Sequence, residues 1–219
     1  MDGLMKYFTH GTLSAAAFGT ALTLLAGAAV AQDATLYAPP PPADAAAIRV
    51  MTAGGQAPAV LVGSTRFQPK PGLPSGYRHV KQGQLPVTVG AQKVARPFAA
   101  GRYYSIVTGN FGREQFRIFS DPKPSLSKAT VVFYNLSSMD QVSLKTADGK
   151  ITLQPNVAHG ASASREVNPL RVGFAVYQGS RKLGEVPAVQ LRRGATLGIF
   201  LTQAGRPQVF SAPGAAIGR

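Results

Sequence analysis

The chain has 219 residues, with 23 Lys and Arg against 9 Asp and Glu, a net charge of +14 and no cysteine. This composition excludes disulfides and thiolate metal sites, and the positive charge favours acidic partners. A chain of 219 residues has room for one or two packed domains.

The first 31 residues are typical of a cleaved signal peptide. Lys6 and His10 precede an apolar run from residue 13 to residue 29, and Ala29-Val30-Ala31 is an A-x-A cleavage site. The run consists mainly of Ala, Gly and Thr and is shorter than the roughly twenty strongly apolar residues that a membrane span needs. We therefore expect residues 1–31 to be removed on export. A membrane anchor is the alternative.

Two segments patterned as β-strands follow, at residues 48–120 and 129–202. Their alternation of apolar and polar residues has a period of two, which places one side of each strand in a core and the other in water. The Pro-rich residues 121–128 between them are predicted to be a linker, because proline cannot donate to a strand ladder. The predicted fold class is all-β, with two tandem antiparallel β-sandwich domains of jelly-roll-like type.

The flanking segments show no such alternation. Residues 32–47 contain the Pro39–Pro42 run and are predicted to form an extended Pro/Ala-rich segment. Residues 203–219 are rich in Gly, Ala and Pro and are predicted to be a flexible tail.

The two patterned segments repeat one order of features, namely strand, hairpin, long connection, strand, Gly-centred turn with a Lys, and closing strand after another Gly. The matched starting points are Ile48 and Val131, Val60 and Val142, Leu85 and Val172, and Gly101 and Gly194. Asp148-Gly149 is a hairpin signal that accepts positive φ. The order predicts two copies of one sandwich, and two unrelated sandwiches of similar spacing are the alternative.

Several short motifs, taken in their order and spacing, resemble the periplasmic alginate O-acetylation protein family AlgF. They are Leu36-Tyr37-x-Pro39, the strand Ile48-Arg49-Val50, the run from Lys145 to Lys150, Arg165-Glu166-x-Asn168-Pro169, and Val176-Tyr177-x-Gly179-x-x-Lys182-x-Gly184-x-Val186 followed by Gly194. The resemblance implies a periplasmic protein needed for O-acetylation of an exopolysaccharide, either alginate or a similar polymer such as cellulose. It also implies contacts with periplasmic and inner-membrane O-acetylation proteins.

The chain shows no recognisable set of catalytic or metal-binding residues. After the leader it has two histidines, His79 and His159, and it has neither a G-x-S-x-G elbow nor a D-x-x-H motif. His159 lies near Ser162 and Ser164, but no acid that would complete a triad can be named. The histidines and acids have no zinc or EF-hand spacing, so we expect no metal, no cofactor and no enzymatic activity.

Two groups of residues are candidates for binding. The exposed turns that carry Arg181-Lys182 and Arg192-Arg193 are candidate sites for an acidic partner, and solubility alone is the alternative. Three tyrosines are candidate carbohydrate contacts, because sugar rings stack on aromatic faces: Tyr103, Tyr104 and Tyr177. Export makes nucleic acid an improbable partner.

The resemblance to the AlgF family therefore implies a periplasmic adaptor that mediates contacts among acetylation proteins, and the lack of a catalytic set favours a non-enzymatic one. Two alternatives remain open. One is a carbohydrate-binding module that holds the polymer, and the other is an intermediate that carries acetyl on a serine such as Ser162 or Ser164.

Overall fold

In the computed structural model, residues 41–53, 56–71 and 73–211 are described. The signal-peptide interpretation of residues 1–31 lies outside these ranges. All regular structure in the described ranges is β-strand, and the strands fall into two halves of eight. The first half contains β1 (Ala45–Thr52), β2 (Val60–Val62), β3 (Thr65–Phe67), β4 (Arg78–Lys81), β5 (Gly83–Val89), β6 (Gln92–Phe98), β7 (Tyr103–Phe111) and β8 (Glu114–Asp121). The second contains β9 (Ala129–Asn135), β10 (Val142–Thr146), β11 (Thr152–Val157), β12 (Ser162–Val167), β13 (Arg171–Gln178), β14 (Arg181–Gln190), β15 (Thr196–Leu201) and β16 (Pro207–Ser211).

Each half consists of two four-stranded sheets, and the two halves have the same topology. The N-inner sheet has the order β4-β1-β7-β8 and the N-outer sheet the order β3-β2-β5-β6. The C-inner sheet, β12-β9-β15-β16, and the C-outer sheet, β11-β10-β13-β14, repeat these orders strand for strand. The all-β class and the two tandem sandwiches are therefore confirmed, as is the predicted duplication.

The sheets are not purely antiparallel. Strand β1 pairs in parallel with β7, with Ile48 opposite Tyr104, and β9 pairs in parallel with β15, with Val131 opposite Leu197. In each half the parallel partners are separated by a long stretch of chain, and parallel pairing requires such a crossover. Most of the remaining pairings join strands adjacent in sequence, as between β13 and β14.

Glycines fix the turns at which short hairpins close. Gly149 has φ of 73° and Gly179 has φ of 59°, a left-handed conformation that glycine adopts without steric cost. The Gly149 amide donates to the Thr146 carbonyl at 2.8 Å, which closes the β10–β11 turn. The positive φ predicted at the Asp148-Gly149 turn is confirmed at Gly149.

Three hydrophobic clusters hold the four sheets together. The first, with Ile48, Val60 and Val87, lies within the first half, and the second, with Phe133, Leu144 and Phe174, lies within the second half. A further cluster, described below as the junction, takes its residues from both inner sheets. The four sheets therefore stack in the order N-outer, N-inner, C-inner, C-outer.

The strands of the inner sheets differ from the expected alternation between core and water. Every residue of β1, β9 and β15 is buried. The prediction that one side of each strand faces water was wrong for these strands, because the partner half covers that side. Strands of the outer sheets do alternate, as in β6.

The strand boundaries extend beyond the predicted domain limits at three places. Strand β1 begins at Ala45, inside the predicted extended segment 32–47, and β8 includes Asp121 of the predicted linker 121–128. Strand β16 lies within the predicted tail 203–219, where Val209 pairs with Ile199. A Pro at the start of an edge strand costs no ladder hydrogen bond, and burial of Phe210 favours the pairing.

Candidate functional site

The two sandwiches meet through the faces of their inner sheets that point away from their own cores, and we call this contact the junction. Its apolar side chains are Met51, Val107, Phe111 and Phe119 from the first half and Val132, Tyr134, Leu136, Phe200 and Phe210 from the second. The rings of Phe119 and Tyr134 meet edge to face across it, with centroids 5.0 Å apart. Since each half contributes a buried aromatic face, the halves are packed together and are not merely tethered.

A buried ion pair with three hydroxyl partners lies at this junction. Arg49 on β1 is 1% exposed and lies 3.3 Å from the carboxylate of Asp121, measured from Nη2 to Oδ2. Arg49 also donates from Nε to Ser105 Oγ at 2.8 Å and from Nη2 to Tyr134 Oη at 2.9 Å. The Asp121 carboxylate accepts from Tyr134 at 2.7 Å, from Tyr77 at 2.8 Å and from Ser105. Tyr134 is the only one of these five residues that belongs to the second half.

The electrostatics of this cluster follow from its burial. Burial raises the pKa of Tyr134 and of Tyr77 above the ordinary tyrosine value, and the Asp121 carboxylate raises both further, although Arg49 opposes the shift. Burial by itself lowers the pKa of Arg49, but Tyr134 and Asp121 outweigh it and leave the pKa raised. Arg49 is therefore a fixed cation, and both tyrosines stay protonated and donate to the carboxylate.

A second contact across the junction brings together Arg117 of β8 and the loop before β12. Arg117 Nη2 lies 3.3 Å from His159 Nε2, and His159 Nδ1 lies against the Ser137 carbonyl oxygen. Gly160 has a φ of 70° and lies beneath the Arg117 guanidinium. A Cβ added at residue 160 would collide with that group. A cleft of about 370 Å³ opens beside this contact.

The surroundings of His159 bear on the chemistry that the chain could perform. A histidine that acts as a base must offer a free ring nitrogen to a nucleophile. Here one nitrogen faces a backbone carbonyl and the other faces the Arg117 guanidinium. Within the described residues, neither Ser162 nor Ser164 on β12 forms a hydrogen bond with His159. His79 lies exposed on β4, in the other half of the molecule.

The four predicted partner-binding cations do not form one patch. Arg181 and Lys182 are exposed at the first residues of β14, and Arg192 and Arg193 are exposed just beyond its last residue. A strand rises about 3.3 Å per residue, so the ten residues of β14 place the two pairs at opposite ends of the C-outer sheet. Lys182 forms an ion pair with Glu185.

The three predicted carbohydrate contacts are half-buried and lie on different surfaces. The Tyr103 ring meets Tyr77 edge to face at 5.1 Å, whereas Tyr104 meets Phe98 at 5.1 Å on the other face of β7. Tyr177, on the C-outer sheet, has Lys145 Nζ over its ring at 4.8 Å. These three tyrosines therefore provide separate contacts and no continuous platform for a sugar chain.

A groove at one end of the second sandwich was not predicted from the sequence. It has a volume of about 340 Å³ and lies between the C-outer and C-inner sheets at their β11 and β12 edges. Its apolar lining includes Ile151, Leu153, Val167, Leu170, Val172 and Leu191. Lys128, Arg165 and Glu166 also line it. The available signal was two large aliphatic residues placed next to turn residues, Ile151 after Lys150 and Leu170 after Pro169.

The junction cluster was also missed, although the sequence carried a hint of it. Arg49 interrupts the apolar run Ala45–Met51, and a cation inside such a run must find a partner if it is buried. The identity of that partner required the fold, because Ser105, Asp121 and Tyr134 lie far away in sequence.

The described part of the chain contains neither a cluster of metal-ligating side chains nor a membrane-spanning helix. In residues 41–53, 56–71 and 73–211, no three His, Asp or Glu side chains converge as metal ligands would. The same ranges contain no helix with the length and apolarity needed to cross a bilayer.

Comparison with known proteins gives a consistent result. The family described as "Alginate O-acetyl transferase AlgF" matches residues 19–197. The Alginate biosynthesis protein AlgF of Pseudomonas putida is 35% identical over 193 residues, which cover 84% of this chain and 89% of that protein. Its counterpart in Pseudomonas fluorescens is 33% identical over 190 residues, covering 86% and 87% respectively. A solved structure of the C-terminal domain of AlgF from P. aeruginosa is 34% identical, covers 39% of this chain and 99% of its own, and aligns with a TM-score of 0.36.

By its fold and its junction, the chain is an all-β protein of two like sandwiches packed through their inner sheets. It belongs to the AlgF family, because the family match spans most of the chain and the relatives share about a third of its residues over most of their length. The resemblance drawn from the short motifs is thus confirmed.

Proposed function

We propose that this protein is a non-enzymatic periplasmic adaptor required for O-acetylation of an exported polysaccharide, with alginate as the first candidate. Membership of a family described by alginate O-acetylation supports the pathway. In this proposal, the chain acts by holding acetylation proteins in contact with one another. The leader at residues 1–31 delivers the protein to the periplasm.

The observation that carries this proposal is the junction itself. Because both inner sheets are buried against each other, the outer sheets and the loop ends of the two halves remain for partners, facing away from one another. Two binding surfaces on one packed body lie at a fixed separation, which raises the effective concentration of one partner for the other. The buried pair of Arg49 and Asp121 supports this rigidity.

A second candidate, a carbohydrate-binding module, is favoured by the cleft beside Arg117. Arg96, Arg117 and Glu114 line that cleft, which lies at the junction. Guanidinium groups pair well with carboxylates, and the uronate residues of alginate carry one carboxylate each. Neutral polymers such as cellulose offer no such partner.

Co-purification tests the adaptor role directly. The tagged whole chain is expressed in its host strain, the envelope is cross-linked, and the proteins recovered with it are identified. We expect proteins of polysaccharide O-acetylation, and we expect polymer from a deletion strain to lose acetyl groups until the chain is restored. Recovery of polymer without those proteins would favour the carbohydrate-binding module.

Measurement of the intact protein mass distinguishes an acetyl carrier from an adaptor. The purified chain is incubated with an acetyl donor ester, and its intact mass is measured. The adaptor proposal predicts no stable gain of an acetyl group. A gain that disappears in Ser162→Ala or Ser164→Ala would contradict the proposal and establish the carrier.

A further inference from the structure

We propose that the groove at the end of the second sandwich binds a segment of a partner protein that carries both aliphatic and acidic side chains. This inference rests on the proposed adaptor function and specifies one of its contacts. The groove is defined by the aliphatic lining and by Lys128, Arg165 and Glu166.

The apolar part of the groove is open to solvent. Ile151 is 60% exposed and Leu170 is 43% exposed, and these are two of the five large hydrophobic side chains exposed in the described ranges. Both line the groove, together with the buried Leu153 and Leu191. Exposed aliphatic side chains beside a cavity mark interaction sites more often than isolated ones do.

Hydrogen bonds from the side chains of Thr146 and Arg165 hold the groove in shape. The Thr146 hydroxyl donates to Asp148 Oδ1 at 2.5 Å and accepts from the Ile151 amide at 3.1 Å, so the hairpin holds Ile151 in place. Arg165 donates from Nη1 to the carbonyl oxygens of Thr152 and Leu153, at 3.1 and 3.4 Å. A preformed site loses less conformational entropy on binding.

Charge complementarity identifies the occupant as acidic. Exposed cations surround the groove or adjoin its lining residues in sequence: Lys128, Lys150, Arg165, Arg171, Arg192 and Arg193. Asp148 and Glu166 are the acids among the same neighbours. A space of about 340 Å³ accommodates one or two aliphatic side chains, and the surrounding cations would meet carboxylates on either side of them. A concave apolar surface suits a peptide better than the flat surface of a lipid bilayer.

The test uses the whole chain and a fluorescent ten-residue peptide that alternates Asp and Leu. Two further peptides serve as controls, one with Lys in place of Asp and one with Ser in place of Leu. Fluorescence anisotropy is measured for the wild type and for Ile151→Ser combined with Leu170→Ser. We expect the Asp/Leu peptide to bind best and the double variant to weaken it by at least about tenfold.

Two control variants match the groove variants in chemistry but not in position. Leu73→Ser removes another exposed leucine, in the first half, and should leave peptide binding unchanged. A second groove variant, Lys128→Glu with Arg165→Glu, should weaken binding strongly at low salt and less at high salt. The control for this charge reversal is a pair of cations outside the groove. Arg181→Glu with Lys182→Glu, at the other end of β14, should have a much smaller effect. Thermal melting confirms that each variant is folded.

Several results would overturn the inference. They are absence of Asp/Leu peptide binding, equal binding of the Lys/Leu or Asp/Ser peptide, and unchanged affinity in the groove variants. Binding of phosphatidylglycerol vesicles that the groove variants abolish, in the absence of peptide binding, would reassign the surface to a membrane. The adaptor proposal is tested separately, by identifying the acetylation proteins recovered with the chain. The groove proposal and the adaptor proposal can therefore fail independently.

Discussion

The two halves share one topology but differ at the faces that meet. On β1 and β7 of the first half, Arg49 lies opposite Ser105; at the matching places of the second half, Val132 lies opposite Gly198. Phe119 pairs with Ser105, as Phe210 pairs with Gly198. The first half's junction face thus carries an ion pair, to which the second half contributes the Tyr134 hydroxyl.

This difference shows how two similar sandwiches form one specific contact. Two identical apolar faces could meet in several registers, whereas a buried ion pair must be met by groups that satisfy it. Tyr134 satisfies both charges because its hydroxyl accepts from Arg49 and donates to Asp121. Tyr134 is therefore the residue of the second half that completes the ion-pair cluster, and the contributions of the two halves to this cluster are unequal.

The largest effect is expected when the second half is separated from the first. Residues 129–211 should keep the β-type circular dichroism of a folded sandwich but should self-associate in sedimentation, because Phe200 and Phe210 lose their cover. Residues 129–202 lack β16 and should be unfolded. A folded, monomeric 129–202 segment would mean that β16 contributes little. Independent folding of each half stays a prediction until this is measured.

Removal of one partner of the buried ion pair should have the next largest effect. Asp121→Asn leaves Arg49 as an uncompensated buried cation, and we expect a loss of about 3–5 kcal/mol in the free energy of unfolding, measured with urea. Lys182→Ala, which breaks an exposed ion pair, is the control and should cost under about 1 kcal/mol. Equal losses would show that the junction pair is solvated in solution.

Alkaline pH should destabilise the protein through the same cluster. The pKa values of Tyr77 and Tyr134 are raised in the folded state, so their contribution is complete below the unfolded-state value of about 10 and is lost as the pH rises through the folded-state pKa. Each tyrosine should cost about 1.4 kcal/mol per pH unit above 10. Urea unfolding across this range should show a shallower decline for Tyr134→Phe. An equal decline in the wild type and in Tyr134→Phe would show that Tyr134 does not have a raised pKa in the folded protein.

Much of this architecture could be predicted from the sequence because its signals are local. Period-two alternation located the two strand-rich segments, although β16 lies in the predicted tail, and the Gly149 and Gly179 turns located hairpins. The matched order of features predicted the duplication. The burial of both faces of β1 and β9 could not be read in this way, since it depends on contact between the halves. An uninterrupted apolar run, Val131–Tyr134, carried a partial signal.

The candidate sites were harder to predict than the fold for the same reason. The groove gathers Lys128, Ile151 and Leu170 from three different connections and Arg165 from β12, and only the pairing of the sheets brings them together. The charged turns at Arg181 and Arg192 were correctly placed at the surface, but their separation by the length of β14 depends on that strand being continuous.

A smaller effect should follow from crowding the second junction contact. Gly160→Ala forces a left-handed residue and displaces the Arg117 guanidinium from His159, so we expect a loss of about 2 kcal/mol in the free energy of unfolding, from backbone strain and one lost hydrogen bond. Gly179→Ala is the matched control: its φ of 59° is also positive, but nothing lies within 4 Å of the added Cβ. It should cost about 1 kcal/mol. Identical costs would indicate that Arg117 does not hold this position.

The proposed absence of catalysis is tested most directly by the acetyl content of secreted polymer in a strain whose chain carries both His79→Ala and His159→Ala. Because these are the histidines present after the leader, any mechanism that needs an imidazole base would be lost. The adaptor account predicts an acetyl content equal to that of the wild type, at equal protein levels. Loss of acetyl groups from the polymer, with normal amounts of folded protein, would contradict it.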